Sequence, residues 1–383
     1  MQVANIIEES RIAGPQIRNL LVASTLKKKD IEVTLIFPAK NSRDLIKRCN
    51  LSNQKFLSLD LCSIKGDIYG FLKYLFFFPF EVLELAKILK KKKYDLVHVS
   101  GGCLHTKGVI AAKLAGLKVI WELNDTHVPK ILKTIFSFLS FLADSFIFAS
   151  ERTKKYYLDA VPVRRKKYII QSPVNTDFLN PDLKIKSDSF LKKKSFKKKI
   201  IIGTVGNVNP NKGHETFIKM ASKISQYNKK IVFIVVGPIY ESQKKYFNYL
   251  SNLIKLKKIR NIYFIGAKKD IRPILNKIDI YVCSSNNESS PLAVWEAMAM
   301  KKPIISTNVG DVNRYIKNNI NGFLIKVGDV DDLLKKILKL VKNPKLRRKF
   351  GNISRKIVKK KLNIDLCSRL HKKTYLDTIL EIK

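Results

Sequence analysis

Residues 288–299 read ESSPLAVWEAMA and come shortly after four apolar residues, 280–283 (IYVC), with the length and composition of a buried strand. Pro291 suits the first helical position and Ser290 the cap before it, so the spacing predicts a helix running to Met300. A helix that opens beyond the carboxyl end of a parallel strand offers its unbonded N–H groups, here around Ser290, Leu292 and Ala293, to an anion. Glu296 falls about one and a half turns into that helix, where a carboxylate can accept both hydroxyls of a vicinal diol such as a ribose. Glu288 lies just ahead of the helix and can reach another part of the same ligand. The two acids could also be imagined as the acid and base of a hydrolase, but the neighbouring glycine and lysine loop argues for binding roles.

That loop is GTVGNVNPNKG, residues 203–213, at the end of a second apolar segment, 199–205. Its glycines, Gly206 among them, let the backbone approach a phosphate closely, and Lys212 supplies the positive charge that a departing diphosphate needs. The loop has neither the P-loop spacing nor Gly-x-Gly-x-x-Gly.

Outward from these loops the chain alternates strand and helix. Segments 199–205, 231–236, 262–265, 280–283, 303–306 and 322–325 read as strands with helices between them, and 344–383 reads as helical. In the first half, 3–7, 32–37, 96–99, 119–122 and 146–149 read as strands. Residues 11–16, with Gly14, read as a loop before a helix over 17–26, and Gly101-Gly102 as a strand-to-helix turn. Such alternation predicts two mostly parallel, doubly wound sheets. A polar, lysine-rich stretch marks the linker, giving an N-terminal domain at 1–180, a linker at 181–199, a C-terminal domain at 200–360 and a terminal helix, 361–383, that packs back on the first domain.

At 383 residues, with 45% hydrophobic residues spread along its length, the chain suits two domains and not a disordered polymer. The five cysteines include no Cys-x-x-Cys pair, which favours a reducing compartment. No basic segment followed by a long apolar one opens the sequence, so the expected location is cytoplasmic, with peripheral attachment to the inner face of the cytoplasmic membrane left open. A formal charge of +43 requires either an anionic partner or a lysine-biased composition. No nucleic-acid motif accompanies it, so nucleic acid is not expected as a partner and an anionic membrane surface is. Residues 71–80 (FLKYLFFFPF) are too short to span a bilayer and fit either an interfacial helix or a core helix. Residues 131–150 read as core. Asp329-Val330-Asp331-Asp332 has an Asp-x-Asp spacing but reads as a helix cap, and His98, His105, His214 and His371 form no ligand set by spacing. Trp121 and Trp295 are expected in the core.

Lys212-Gly213, together with Glu288 and Glu296 separated by seven residues, resembles the family 4 retaining glycosyltransferases. The likeness extends through Phe264-Ile265-Gly266, Lys302-Pro303-Ile304-Ile305-Ser306-Thr307 and Asn321-Gly322-Phe323-Leu324-Ile325. It implies the GT-B fold, two Rossmann-like doubly wound α/β domains facing a cleft. Lys212 would neutralise the donor diphosphate, Glu296 would hold the ribose, Glu288 would contact the donor sugar, and the amides from Ser290 through Pro291 and Leu292 to Ala293 would receive phosphate. Gly14 and His127 fall at family positions on the acceptor side, His127 near the transferred sugar. Where the family often has Arg this chain has Asn207, with Arg272 or Lys268 as candidate substitutes. The implied activity moves a sugar from a nucleotide-sugar to a lipid-linked or cell-envelope glycan, without metal or other cofactor. An epimerase-like enzyme of the same fold and a weakly active basic binding protein are the alternatives.

Overall fold

The computed structural model describes residues 1–9, 12, 14–63, 68–192 and 196–380, with the side chains of Phe71 and Tyr227 outside that description. Arg11 and Ala13 of the expected opening loop, and Lys193 and Lys194 of the expected linker, also lie outside the described residues. The chain divides into two units, Met1–Pro173 with Ile364–Lys383, and Val174–Asn363.

The first unit begins β1 (Gln2–Ile6), α1 (Gly14–Lys27), β2 (Glu32–Pro38), α2 (Arg43–Leu51) and β3 (Phe56–Leu59). It continues α3 (Ile68–Lys91), β4 (Leu96–Ser100), α4 (Lys107–Leu114), β5 (Val119–Leu123), α5 (Lys130–Leu139), β6 (Ser145–Phe148), α6 (Glu151–Tyr157) and β7 (Lys166–Ile169). Its strands form a parallel sheet in the order β3-β2-β1-β4-β5-β6-β7. Every residue of β4 and β5 is buried, as a parallel sheet covered on both faces demands. Residues of α3, α4 and α5, such as Leu85, Val109 and Phe136, pack on one face with Val97 and Trp121. Val22 of α1 and Leu45 of α2 pack on the other with Leu96 and Ile120.

The second unit runs β8 (Ile200–Val205), α7 (His214–Tyr227), β9 (Ile231–Val236), α8 (Lys244–Leu256), β10 (Ile262–Phe264), α9 (Arg272–Lys277) and β11 (Ile280–Cys283). It ends α10 (Leu292–Ala299), β12 (Ile304–Thr307), α11 (Val312–Tyr315), β13 (Gly322–Ile325), α12 (Val330–Lys342) and α13 (Pro344–Lys361). The parallel order is β10-β9-β8-β11-β12-β13. After it, α14 (Ile364–Ile379) lies in the first unit, where Tyr375 is buried beside Val22 and Leu26. Asp329 caps α12 by accepting the Asp332 N–H at 2.8 Å.

Four expectations change. The boundary falls at Pro173, not residue 180, because Arg355 of α13 donates to the carbonyls of Leu179 and Thr176 and so ties this strip to the second unit. Residues 181–199 are no free linker: Leu191 and Phe196 are buried in the second unit's core, Phe196 with its ring centroid 5.4 Å from that of Tyr263. Gly14 opens α1 rather than lying in a loop before it. The core reading of 131–150 holds for Phe136, Ser140 and everything from Ala143 onward, while Ile131, Ile135, Phe138 and Phe141 are exposed.

Candidate active site

In the second sheet the order reverses between β8 and β11, and the loops leaving the carboxyl ends of these neighbours diverge there, the place where open α/β sheets bind ligands. The loop after β8 carries Gly206, Asn207 and a short turn, Pro210 to Lys212, then Gly213. Gly213 has φ 60°, and a Cβ on it would stand 1.9 Å from the Ser284 carbonyl oxygen, so only glycine fits between the two loops. Hydrogen bonds stitch the loops together: the Asn286 N–H donates to the Asn211 carbonyl at 2.7 Å and the Asn286 side-chain amide to that of Pro210 at 2.8 Å.

This register brings Lys212 Nζ within 2.6 Å of Glu288 Oε1, which also accepts the Ser285 hydroxyl at 2.8 Å. Burial alone would lower the Lys212 pKa, but the Glu288 carboxylate outweighs it and the pKa is raised, so the ammonium stays charged. His214, the first residue of α7, is buried, and burial, with the Lys212 charge beside it, pushes its pKa down to about 4. As neutral imidazole it lies 3.3 Å from the Asn207 carbonyl through Nε2, which pins the loop. Its histidine spacing was uninformative; its place directly after Lys212-Gly213 was the available signal.

On the β11 side, α10 opens at Leu292 with Pro291 as its cap residue. This corrects the expected cap: the Ser290 hydroxyl accepts the indole N–H of buried Trp295 at 3.2 Å instead. Among the described residues the Leu292 and Ala293 N–H groups have no acceptor, and no side chain caps the helix. Glu296 is half-buried, its carboxylate has no hydrogen-bond or ion-pair partner among the described residues, and burial pushes its pKa up to about 7. Lys212, Glu288, the open helix start and Glu296 therefore belong to two stitched loops and the helix that one of them enters.

The proposed substitutes for the missing arginine at Asn207 are engaged elsewhere. Arg272 forks onto Asp270 and lies 3.7 Å from the Phe178 ring centroid, and Lys268 pairs with Asp188 at 3.0 Å. In the first unit, Gly14 is exposed at the start of α1, and His127 is exposed on the loop between β5 and α5 with no partner among the described residues. Among the described residues no group of three or more His, Cys, Asp or Glu side chains could hold a metal ion.

No spacing in the sequence announces the first unit's buried polar network. Arg18 of α1 donates to Glu122 of β5 at 2.7 Å and to the Ile170 carbonyl at 2.9 Å, and His98 Nε2 lies 3.1 Å from the same carboxylate. Tyr375 and His371 of α14 join it, the Tyr375 hydroxyl 2.9 Å from His98 Nδ1. Burial would raise the Glu122 pKa, but Arg18, His371 and His98 together hold it well below the usual carboxylate range.

Residues 13–178 match the model of Glycosyltransferase Family 4, and residues 186–357 match that of Glycosyl transferases group 1. A relative from Escherichia coli, UDP-Gal:alpha-D-GlcNAc-diphosphoundecaprenol alpha-1,3-galactosyltransferase, is 29% identical over 304 residues, 72% of this chain and 74% of that one. The N,N'-diacetylbacillosaminyl-diphospho-undecaprenol alpha-1,3-N-acetylgalactosaminyltransferase of Campylobacter jejuni is 25% identical over 70% of this chain and 74% of its own length. Among solved structures, a glycosyltransferase from Rickettsia africae superposes with a TM-score of 0.84 at 20% identity, covering 100% of this chain and 99% of its own. Anabaena Alr3699/HepE in complex with UDP-glucose does so at 0.83 and 16% identity, covering 98% of this chain and 100% of its own. Two Rossmann-like units, each built on a parallel sheet, give the GT-B fold, and the family matches make the chain a glycosyltransferase. The chain belongs to glycosyltransferase family 4.

Proposed function

We propose that the chain transfers a sugar from a nucleoside-diphosphate sugar to a lipid-linked or cell-envelope glycan, with retention at the transferred carbon and without a metal ion. The 2.6 Å pairing of Lys212 with Glu288 beside an open helix start carries this reading. The donor diphosphate sits on the Leu292 and Ala293 N–H groups with Lys212 beside it, the ribose hydroxyls donate to Glu296, and Glu288 faces the donor sugar. The bond between the sugar's anomeric carbon and the diphosphate oxygen breaks, the acceptor hydroxyl oxygen bonds to that carbon on the same face, and its proton passes to the released diphosphate. Lys212 and the amides stabilise the charge that builds on the leaving group, the main contribution the protein makes in such a step. His127 lies on the acceptor side, as does Gly14, whose missing side chain leaves room at the α1 start.

The names of the Escherichia coli and Campylobacter jejuni relatives, both diphosphoundecaprenol-linked, support a lipid-linked acceptor. The +43 charge supports presentation of that acceptor on the anionic inner face of the cytoplasmic membrane. The test is nucleotide release from UDP-, GDP- and ADP-sugars with a short-chain lipid diphosphate sugar as acceptor. Acceptor-dependent release from one donor class, unchanged by chelator, is expected. Absence of release from every donor, with no donor-induced rise in Tm, counts against the reading.

A further inference from the structure

We infer that the outer faces of α3 and α5 form a docking surface for an anionic lipid bilayer, an inference that deepens the membrane presentation proposed above. Exposed Tyr69, Leu72, Phe76, Phe80 and Leu83 recur at helical spacing along one stripe of α3, with Phe76 67% and Phe80 62% exposed. Lys87 and Lys90 continue the same stripe into the basic end of the helix. Ile131, Ile135 and Phe138 repeat the pattern on α5, which contains no acidic residue, and Phe138 is 76% exposed. Both helices cover the same face of the first sheet, on either side of α4 in the shared core.

The inner side of α3 is occupied by core contacts, which leaves its aromatic stripe facing outward. Val82, Leu85 and Leu89 are buried against the sheet. Glu81 pairs with the buried Lys107 of α4, whose ammonium lies 4.1 Å from the Tyr74 ring centroid. An apolar aromatic stripe that runs into lysines has the anatomy of a helix lying in the membrane interface, with rings at the acyl boundary and ammonium groups at phosphate depth. Among the described residues of α3 only Glu84 places an acid on the exposed side, Glu81 being buried and paired. A second copy of the chain would set the same lysines against themselves, whereas anionic headgroups complement them. No described helix is long and apolar enough to cross a membrane, so the contact is interfacial.

Two measurements test this on the full chain. The native tryptophans, Trp121 and Trp295, are fully buried, so Phe76→Trp and, separately, Phe138→Trp report on their own surroundings. Vesicles of phosphatidylglycerol with phosphatidylethanolamine should blue-shift both emissions and phosphatidylcholine vesicles should not; unshifted emission with the anionic vesicles overturns the inference. In co-sedimentation, the triple change Phe76→Glu, Phe80→Glu and Phe138→Glu should weaken binding to the anionic vesicles at least tenfold. Its transfer to a water-soluble short-chain acceptor should stay within twofold of the parent. Undiminished vesicle binding, or a dimer in light scattering that the triple change dissolves while vesicle binding persists, assigns the face elsewhere. Transfer without vesicle binding defeats the docking surface alone, and vesicle binding without transfer from any donor defeats the proposed activity alone.

Discussion

The Glu296 carboxylate has no hydrogen-bond or ion-pair partner among the described residues, so in the proposed site its charge state would couple folding to donor binding. Its carboxyl titrates near 7 in the folded protein because burial disfavours the anion, against 4.5 for the ordinary group. The native state therefore holds more protons than the unfolded chain between these values. This group's contribution is neutral below pH 4.5, turns against folding as pH rises from there, and is fully unfavourable above 7. Glu296→Gln should then raise Tm relative to the parent at pH 8 and leave it nearly unchanged at pH 4.5, while weakening donor binding at pH 8 more than at pH 4.5. Equal Tm differences at the two pH values in calorimetry would contradict the buried-carboxylate argument. A stabilising change that harms binding is what a site poised for a ligand should show. At this scale the sequence spacing singled out Lys212 and Glu288, which the structure pairs at 2.6 Å, because both sit on loops whose register the flanking strands fix. It misassigned Ser290, since a serine before a proline reads as a cap and nothing local announces that the Trp295 indole will claim the hydroxyl.

Helices and strands show where local pattern ends and packing begins. The six strands of the second sheet are short runs dominated by apolar residues, which makes them legible. The edge strands β3 (FLSL) and β7 (KKYI) escaped because an edge needs less burial and tolerates polar residues. The amphipathic α5 reads as apolar in sequence, yet which way its stripe faces depends on α4 and the sheet. The Arg18, Glu122, His98, His371 and Tyr375 network joins residues up to 277 positions apart, a separation no spacing rule reaches. It locks α14 to α1 and β5 through charges that have no access to water. Glu122→Gln leaves the buried Arg18 guanidinium uncompensated and should cost about 3–5 kcal/mol. For a unit of this size that is a fall of roughly 6–20 °C in the melting of the first unit. A melting temperature within a degree or so of the parent would mean that the network is not holding α14.

For the whole chain, the recurrence of strand, helix and strand on both sides of residue 173 made two doubly wound units legible, but the lysine-rich composition around 181–199 drew the boundary too late. Charge density is a poor boundary signal in a chain where 74 Lys and Arg oppose 31 Asp and Glu throughout. That excess favours anionic surfaces over self-association and makes every such contact salt-sensitive. The proposed donor site has its own local cation, Lys212, held charged by Glu288. The most direct test is single-turnover sugar transfer by Lys212→Ala compared with the parent at saturating donor. Loss of the leaving-group cation should slow the chemical step by roughly 10²–10³-fold, about 3–4 kcal/mol, while leaving the fold intact by circular dichroism. Transfer at the parental rate would show that Lys212 does not stabilise the departing diphosphate.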